Sequence, residues 1–347
     1  MTLAVVTDSA AFLPPALAAE HGIGVVELHA IEGDDGATTA RPSVAELAEA
    51  YEAALSRADE VLALHLTAVL SGTIDNARLA AARFDGRVRV LDLGVSAGAL
   101  GLAALAAGEA GDARRGAARA RESASRSHTF FLVEDLSGLR RSGRVDRTTG
   151  LMGGALGIRP VLTMSAAGVA VAETVRGSAR ARRHLIAQAV RAAGGAHLSG
   201  PRPPVEPVRL AVHYGEDPAQ GRELENDLAE AMAQAGAVVE SIMRSPVDAA
   251  HRVVELIGDT DPDGWASPSP LGWGAEGDRH RGRASLRSAR TVCDPAAPEA
   301  RTPDLHGSTS GSRAPSRSCC PQAVSAPDHR GSTVVVMSGR RALRRGG

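Results

Sequence analysis

The chain has 347 residues and a formal net charge of -1, with a pI near 6.8, so it carries no bulk attraction to nucleic acid or to an anionic surface. Hydrophobic residues make up 44 % and aromatic ones only 2 %, a composition that fills a sizeable core with Ala, Val and Leu. The three cysteines, Cys293, Cys319 and Cys320, lie in the last quarter and form no CxxC pair, which argues against a disulfide framework and a cysteine-held structural zinc.

The chain opens on "LAVVT", a short apolar strand that Asp8 interrupts, with no basic stretch ahead of it; it does not read as a secretion signal. "LPPALAAEHG" follows as a helix, with proline near its start and Gly22 past its end. "IGVVELH" is a second strand, and Ser43 with Glu46 forms a capping-box pattern ahead of the periodic helix "VAELAEAYEAAL". "EVLALHL", "RVRVLDLG" and "TFFLVE" continue as strands. "SAGALGLAALAAGE" is too short and too rich in Gly and Ala for a membrane span, and reads as a buried helix. Strands alternating with helices predict parallel βαβ units in a layered α/β domain over residues 1–140.

A second pattern follows over residues 141–257. "IRPVLTMSAAGVAVAETV" is a hairpin, "SARARRHLIAQAVRAAGG" an amphipathic helix, and "VRLAVHY", "QGRELENDLAEAMAQAG" and "AVVESIM" supply strand, helix and strand. This predicts a smaller α/β domain with a mixed sheet. From residue 258 to 347 the sequence is rich in Ser, Pro, Gly and Arg, and only "STVVVMSG" resembles a strand. Two readings stand for this irregular tail: disorder, or translation in a shifted frame.

Two loops at strand ends carry hydroxyls. Thr7-Asp8-Ser9 follows the first strand, and Ser71-Gly72-Thr73 lies between "EVLALHL" and the helix "TIDNARLAA". A helix N-terminus presents unpaired N–H groups and partial positive charge. Ser71 is therefore either a simple cap or, with Gly72 and Thr73, part of an anion seat. Ligands in parallel α/β sheets bind beyond the carboxyl ends of the strands, so both loops belong to one candidate crevice. Arg140, Arg141 and Arg144 in "SGLRRSGRV" are either solvated charges or an anion- or partner-handling group. His65, in an apolar strand, reads as a supporting residue. No G-x-S-x-G elbow surrounds Ser71, which disfavours a hydrolase serine.

Seven stretches in order, "VVTDSAAFLP", "TTARPSVAELAEAYE", "LSGTIDNARLAA", "LDLGVSAGALG", "LSGLRRSGRV", "LGIRPVLTMSAAGVAVAETVRG" and "VRLAVHYGED", resemble the DegV family of bacterial fatty-acid-binding proteins over about residues 1–245. The resemblance implies a two-domain α/β fold, with a parallel-sheet N-terminal domain and a smaller mixed-sheet C-terminal domain. It implies one buried long-chain fatty acid, whose carboxyl lies at the domain junction, no cofactor and no catalysis by the protein itself. The acid would be presented in the cytoplasm to a separate fatty acid kinase, and the acyl phosphate would enter phospholipid synthesis. The carboxyl-binding hydroxyls of the family fall on Thr39 and Ser71, with Gly72, Thr73 and Ser9 beside them. Its phosphotransfer or kinase-contacting arginines fall on Arg144 and Arg176. The chain departs from the pattern in four places, one of them Thr174, where the family often carries a lysine just before the second arginine segment. The family's Thr-Ser-Gln-Pro is here Thr39-Ala40-Arg41-Pro42, a glycine pair is Ser142-Gly143, and the closing His-x-Gly-Pro-Gly segment is missing. The alternatives are an enzyme, a small-molecule kinase or hydrolase with Asp8 as base, and a non-functional truncated member.

Overall fold

In the computed structural model, described residues are 2–31, 38–133, 157–165, 167–194, 207–215, 217–247, 258–259, 291–292 and 332–337. Strands β1 (Leu3–Asp8), β2 (Gly24–Val26), β5 (Glu60–Leu64) and β6 (Val88–Leu91) form a four-stranded parallel sheet in the order β2-β1-β5-β6. A two-stranded antiparallel ribbon, β3 (His29–Ile31) with β4 (Thr38–Ala40), projects beside it.

The period of two along each strand divides the side chains between two cores. Ala4 and Val6 pack with Leu47, Tyr51 and Ala77 under helices α2 (Val44–Leu55) and α3 (Thr73–Ala81). Val5 faces the other way, onto α4 (Ala97–Gly108) and α5 (Ala113–Arg126). The same cluster continues through Leu100 to Phe131, Leu162, Ala211 and Met243 of a second sheet. The alternate residues of that sheet, Phe130, Val161, Leu210 and Val212, face helices α6 (Ser178–Ala192) and α7 (Pro218–Gln234) through Leu185 and Leu224. The result is five layers, helix–sheet–helix–sheet–helix, with α4 at the centre. Every residue of α4 from Ala97 to Ala107 is buried, as an apolar helix lying between two sheets requires.

The second sheet is mixed. It runs β13-β11-β10-β14-β7-β8-β9, with β12 on β10, where β7 is Ser127–Phe131, β8 Ile158–Ser165, β9 Gly168–Arg176, β10 Pro207–Tyr214 and β11 Val238–Pro246. The segments β12 (Gly258–Asp259), β13 (Thr291–Val292) and β14 (Ser332–Met337) come from the region expected to be irregular. The rest of that region lies outside the described residues. β14 is the "STVVVM" run, antiparallel to both β10 and β7.

The hairpin over residues 158–176 forms as its sequence predicts. The capping box of α2 does too: Ser43 Oγ accepts from the Glu46 N–H at 3.2 Å, and Glu46 Oε2 accepts from the Ser43 N–H at 2.8 Å. These bonds, with a lesser contribution from His29, hold the Glu46 carboxyl down at about 2. Two elements differ from expectation. The "TFFLVE" strand pairs in the second sheet, so the chain changes sheets before residue 140, and helix α5 went unforeseen. Its buried stripe of Ala113, Gly116, Ala117 and Ala120 is interleaved with arginines that hide the period.

Glycine lets α4 approach the turn that follows β1. A methyl group at Gly101 would lie 2.6 Å from the carbonyl oxygen of Ala11, a backbone atom that cannot swing aside. Gly101→Ala is expected to destabilise the protein by about 1–3 kcal/mol, the usual range for overpacking. An unchanged thermal midpoint would mean that this spacing is not set by the glycine.

Candidate functional site

The carboxyl ends of β1 and β5 lie side by side, and one buried side chain joins them. Asp8, fully buried, accepts from the Leu66 N–H at 2.8 Å and from His65 Nδ1 at 3.1 Å through Oδ2, and from the Ala10 N–H at 3.2 Å through Oδ1. His65 Nε2 lies 2.8 Å from the Tyr51 hydroxyl. Burial, then the charge of Asp8, pushes the Tyr51 phenol well above its usual range. The phenol therefore stays protonated, and the imidazole bridges it to Asp8 through its two ring nitrogens. His65 is thus the supporting residue the sequence suggested. Asp8 has three donors and no exposure, so it is not placed to act as a base on a ligand.

From this anchor the two hydroxyl-bearing loops run outward. Ser9 Oγ accepts from the Leu28 N–H at 2.9 Å, tying the β1 loop to the start of β3. In the ribbon, Ala30 lies opposite Thr39. The chain then passes through Arg41 and Pro42 onto the first turn of α3, where Asn76 Nδ2 donates to the Pro42 carbonyl at 2.8 Å. The other loop reaches the same turn from Leu66. "TTARP" and "LSGT", thirty residues apart in sequence, thus meet at one helix N-terminus.

The cap of α3 is Gly72 rather than Ser71, and no side chain caps it. Ser71 stands one residue outside, where its Oγ accepts a long bond of 3.3 Å from the Thr73 N–H and lies 2.8 Å from Thr73 Oγ1. Ser71 is half-buried and Thr73 fully buried. Apart from the Thr73 N–H, the opening N–H groups of the helix have no capping side chain and point outward along its axis. The arrangement can hold an anion by N–H and O–H donation, and it holds no nucleophile beside a base.

Arg176 ends β9, exposed and opposite Ile158 in the ladder. Arg140, Arg141 and Arg144 lie outside the described residues. Among the described residues no group of three His, Cys, Asp or Glu side chains is set to hold a metal ion, and no helix is long and apolar enough to cross a membrane.

A second buried constellation went unread in the sequence. Ser245 Oγ donates to the Phe12 carbonyl at 2.6 Å, and His213 Nδ1 lies 2.7 Å from the same Oγ. The serine has one hydrogen and gives it to Phe12, so Nδ1–H of His213 donates to the serine. The imidazole packs edge-on against the Phe12 ring, centroids 5.2 Å apart, and its fully buried Nε2 has no partner among the described residues. Burial lowers the His213 pKa to about 3. Phe12 sits in the left-handed region, at φ 47°, held from both domains. No spacing rule joins residues 12, 213 and 245.

The sequence profile of the family described as "Uncharacterised protein, DegV family" matches residues 31–252. A DegV domain-containing protein of Mycobacterium tuberculosis is 35 % identical over 279 residues, covering 72 % of this chain and 94 % of its own. A solved DegV family protein from Corynebacterium glutamicum superposes with a TM-score of 0.64 at 28 % identity, over 75 % of this chain and 98 % of its own. Another, from Thermus thermophilus and described by its fatty acid binding, gives 0.62 at 27 % identity, over 74 % and 98 %.

Two stability predictions come from the buried groups. Asp8→Ala leaves three donors without their acceptor and is expected to cost about 3–5 kcal/mol in urea unfolding; a loss under ~1 kcal/mol would show that the anchor is dispensable. His213 excludes, when folded, a proton that the unfolded chain binds below about 6.5. Its contribution is complete above that pH and is lost as pH falls toward 3, at about 1.4 kcal/mol per pH unit. His213→Gln should flatten the acid limb of the stability profile between about pH 6 and pH 4 by that slope. Parallel profiles for parent and variant would refute the assignment.

Proposed function

The chain belongs to the DegV family, and we propose that it binds one long-chain fatty acid, with the carboxylate at Ser71, Gly72 and Thr73 beside Thr39 and Ser9. The observation that carries this reading is the meeting of "TTARP" and "LSGT" at the uncapped N-terminus of α3. A DegV relative at 27 % identity is itself described by fatty acid binding. The core between the sheets is built mainly of Ala, Leu and Val, a chemistry matched to an acyl chain. Burying a methylene yields about 0.8 kcal/mol, so a chain of about sixteen carbons supplies on the order of 11 kcal/mol before ordering costs. The tail accounts for most of the affinity, and the hydroxyls set which end faces outward.

On this reading the protein makes and breaks no bonds itself. It presents the carboxyl to a fatty acid kinase in the cytoplasm, which transfers a phosphoryl group onto a carboxylate oxygen. Arg144 and Arg176 belong to that encounter. Arg176 is exposed at a strand end, as a residue that meets a partner or a transferring phosphoryl group must be.

The protein is expected to carry a fatty acid through mild purification, visible by native mass spectrometry. After delipidation, acids of about fourteen to eighteen carbons should raise the thermal midpoint, since ligand at a hundred times Kd stabilises by about 2.7 kcal/mol. Absence of both effects refutes the carrier reading. Ser71→Ala removes one hydrogen bond to a charged group, about 1.5–3 kcal/mol, and should weaken retention without abolishing it. Arg176→Ala should keep its lipid and fail to yield acyl phosphate with a kinase. An Arg176→Ala protein that emerges lipid-free would reverse that division of roles.

A further inference from the structure

The guanidinium of Arg41 lies directly against the entrance of α3. A methyl group at Gly72 would lie 1.9 Å from Nη1 and 3.0 Å from Cζ of Arg41, so the absent Cβ is the space the guanidinium occupies. The segment is pinned there by the Asn76–Pro42 hydrogen bond one residue on.

Electrostatically this is an incomplete arrangement. The N-terminus of a helix carries about half a positive charge, and an arginine beside it adds a full one. Asp75, the acidic residue of the first turn, is turned to Arg78 at 3.4 Å. Arg41 pairs with no carboxylate among the described residues. The hydroxyls give an independent indication. Ser71 Oγ and Thr73 Oγ1 are 2.8 Å apart, and Ser71 Oγ also accepts from the Thr73 N–H. Two hydroxyls carry two hydrogens, and the bond between them uses one. The other O–H, on a pair in which Thr73 is fully buried, has no acceptor among the described residues. Guanidinium, helix N–H groups and a hydroxyl hydrogen thus lie at one place, with no acceptor for them among the described residues.

We propose that Arg41 completes this place as the cationic partner of the ligand carboxylate, and so makes the protein select ionised acids over uncharged acyl ligands. A guanidinium offers paired N–H donors in a plane that matches a carboxylate. This rests on the fatty-acid reading above and adds to it a charge requirement that hydroxyls alone do not impose.

The test uses the full-length delipidated protein and three probes of one chain length: hexadecanoate, methyl hexadecanoate and hexadecan-1-ol. Arg41 is exposed, so Arg41→Gln and Arg41→Lys should melt with the parent. For Arg41→Gln, hexadecanoate affinity is expected to fall by about tenfold to a hundredfold, with the ester and the alcohol bound as by the parent. Arg41→Lys, which keeps the charge but loses the fork, should recover part of the loss. Rising salt should weaken hexadecanoate binding in the parent more than in Arg41→Gln. If the parent binds hexadecanoate and Arg41→Gln binds it equally well, the role of Arg41 is refuted while the fatty-acid reading stands. Equal weakening of all three probes also refutes it, since that is a packing effect. A parent that binds no probe overturns the fatty-acid reading, and this inference with it.

Discussion

A carboxylate with no exposure has to be met by donors, and Asp8 meets three of them on two different strand ends. Unpaired, such a charge costs several kcal/mol; paired, it dictates where its partners stand. The Ala10 bond turns the chain sharply after β1 and leads to Phe12. The Leu66 and His65 bonds set the direction of the chain after β5, hence the approach to Ser71 and α3. Tyr51 extends the network into α2, whose own start is fixed by Ser43 and Glu46. The geometry of the proposed anion seat is thus inherited from a fully buried group that stands behind it.

Phe12 carries the same constraint into the second domain. Its carbonyl takes the Ser245 hydroxyl, which is in turn held by His213. A phenylalanine in the left-handed region is strained, and it persists because both sheets hold it. The ends of β1 and β5 and the ends of β10 and β11 are therefore one assembly, although 233 residues separate the bonded pair.

What the sequence disclosed follows the range of the interaction. The capping box of α2 and the hairpin at residues 158–176 depend on neighbours, and both were readable. The cap of α3 was misplaced by one residue because Ser71 and Gly72 satisfy the same local pattern, and only the backbone distinguishes them. β7 is a short run whose phenylalanines are buried on both faces, and such a run does not say which sheet a strand will join. The pairing of Thr39 with Ser71 as carboxyl-binding hydroxyls is an expectation from family resemblance and not from spacing; at the α3 N-terminus itself the structure places Arg41 and Pro42. Arg41 was visible only as a departure from the family pattern; its position against Gly72 is a tertiary fact. Ser245 and His213 left no mark, since neither carries a pattern of its own.

The central helix α4 has no free face: one side lies on the four-stranded sheet and the other on the mixed sheet. Drawing the sheets apart would bare an apolar rod to water, a penalty that grows with every side chain uncovered. The two halves are therefore poor candidates for the hinge motion by which many two-domain binders open. On the proposed reading, a bound acid would come and go at the rim, past the short connections after β1, β4 and β5, while the layers stay shut. Exchange would then be set by local excursions of a few loop residues, and it should be retarded by any change that stiffens those connections, even one that leaves the interior untouched.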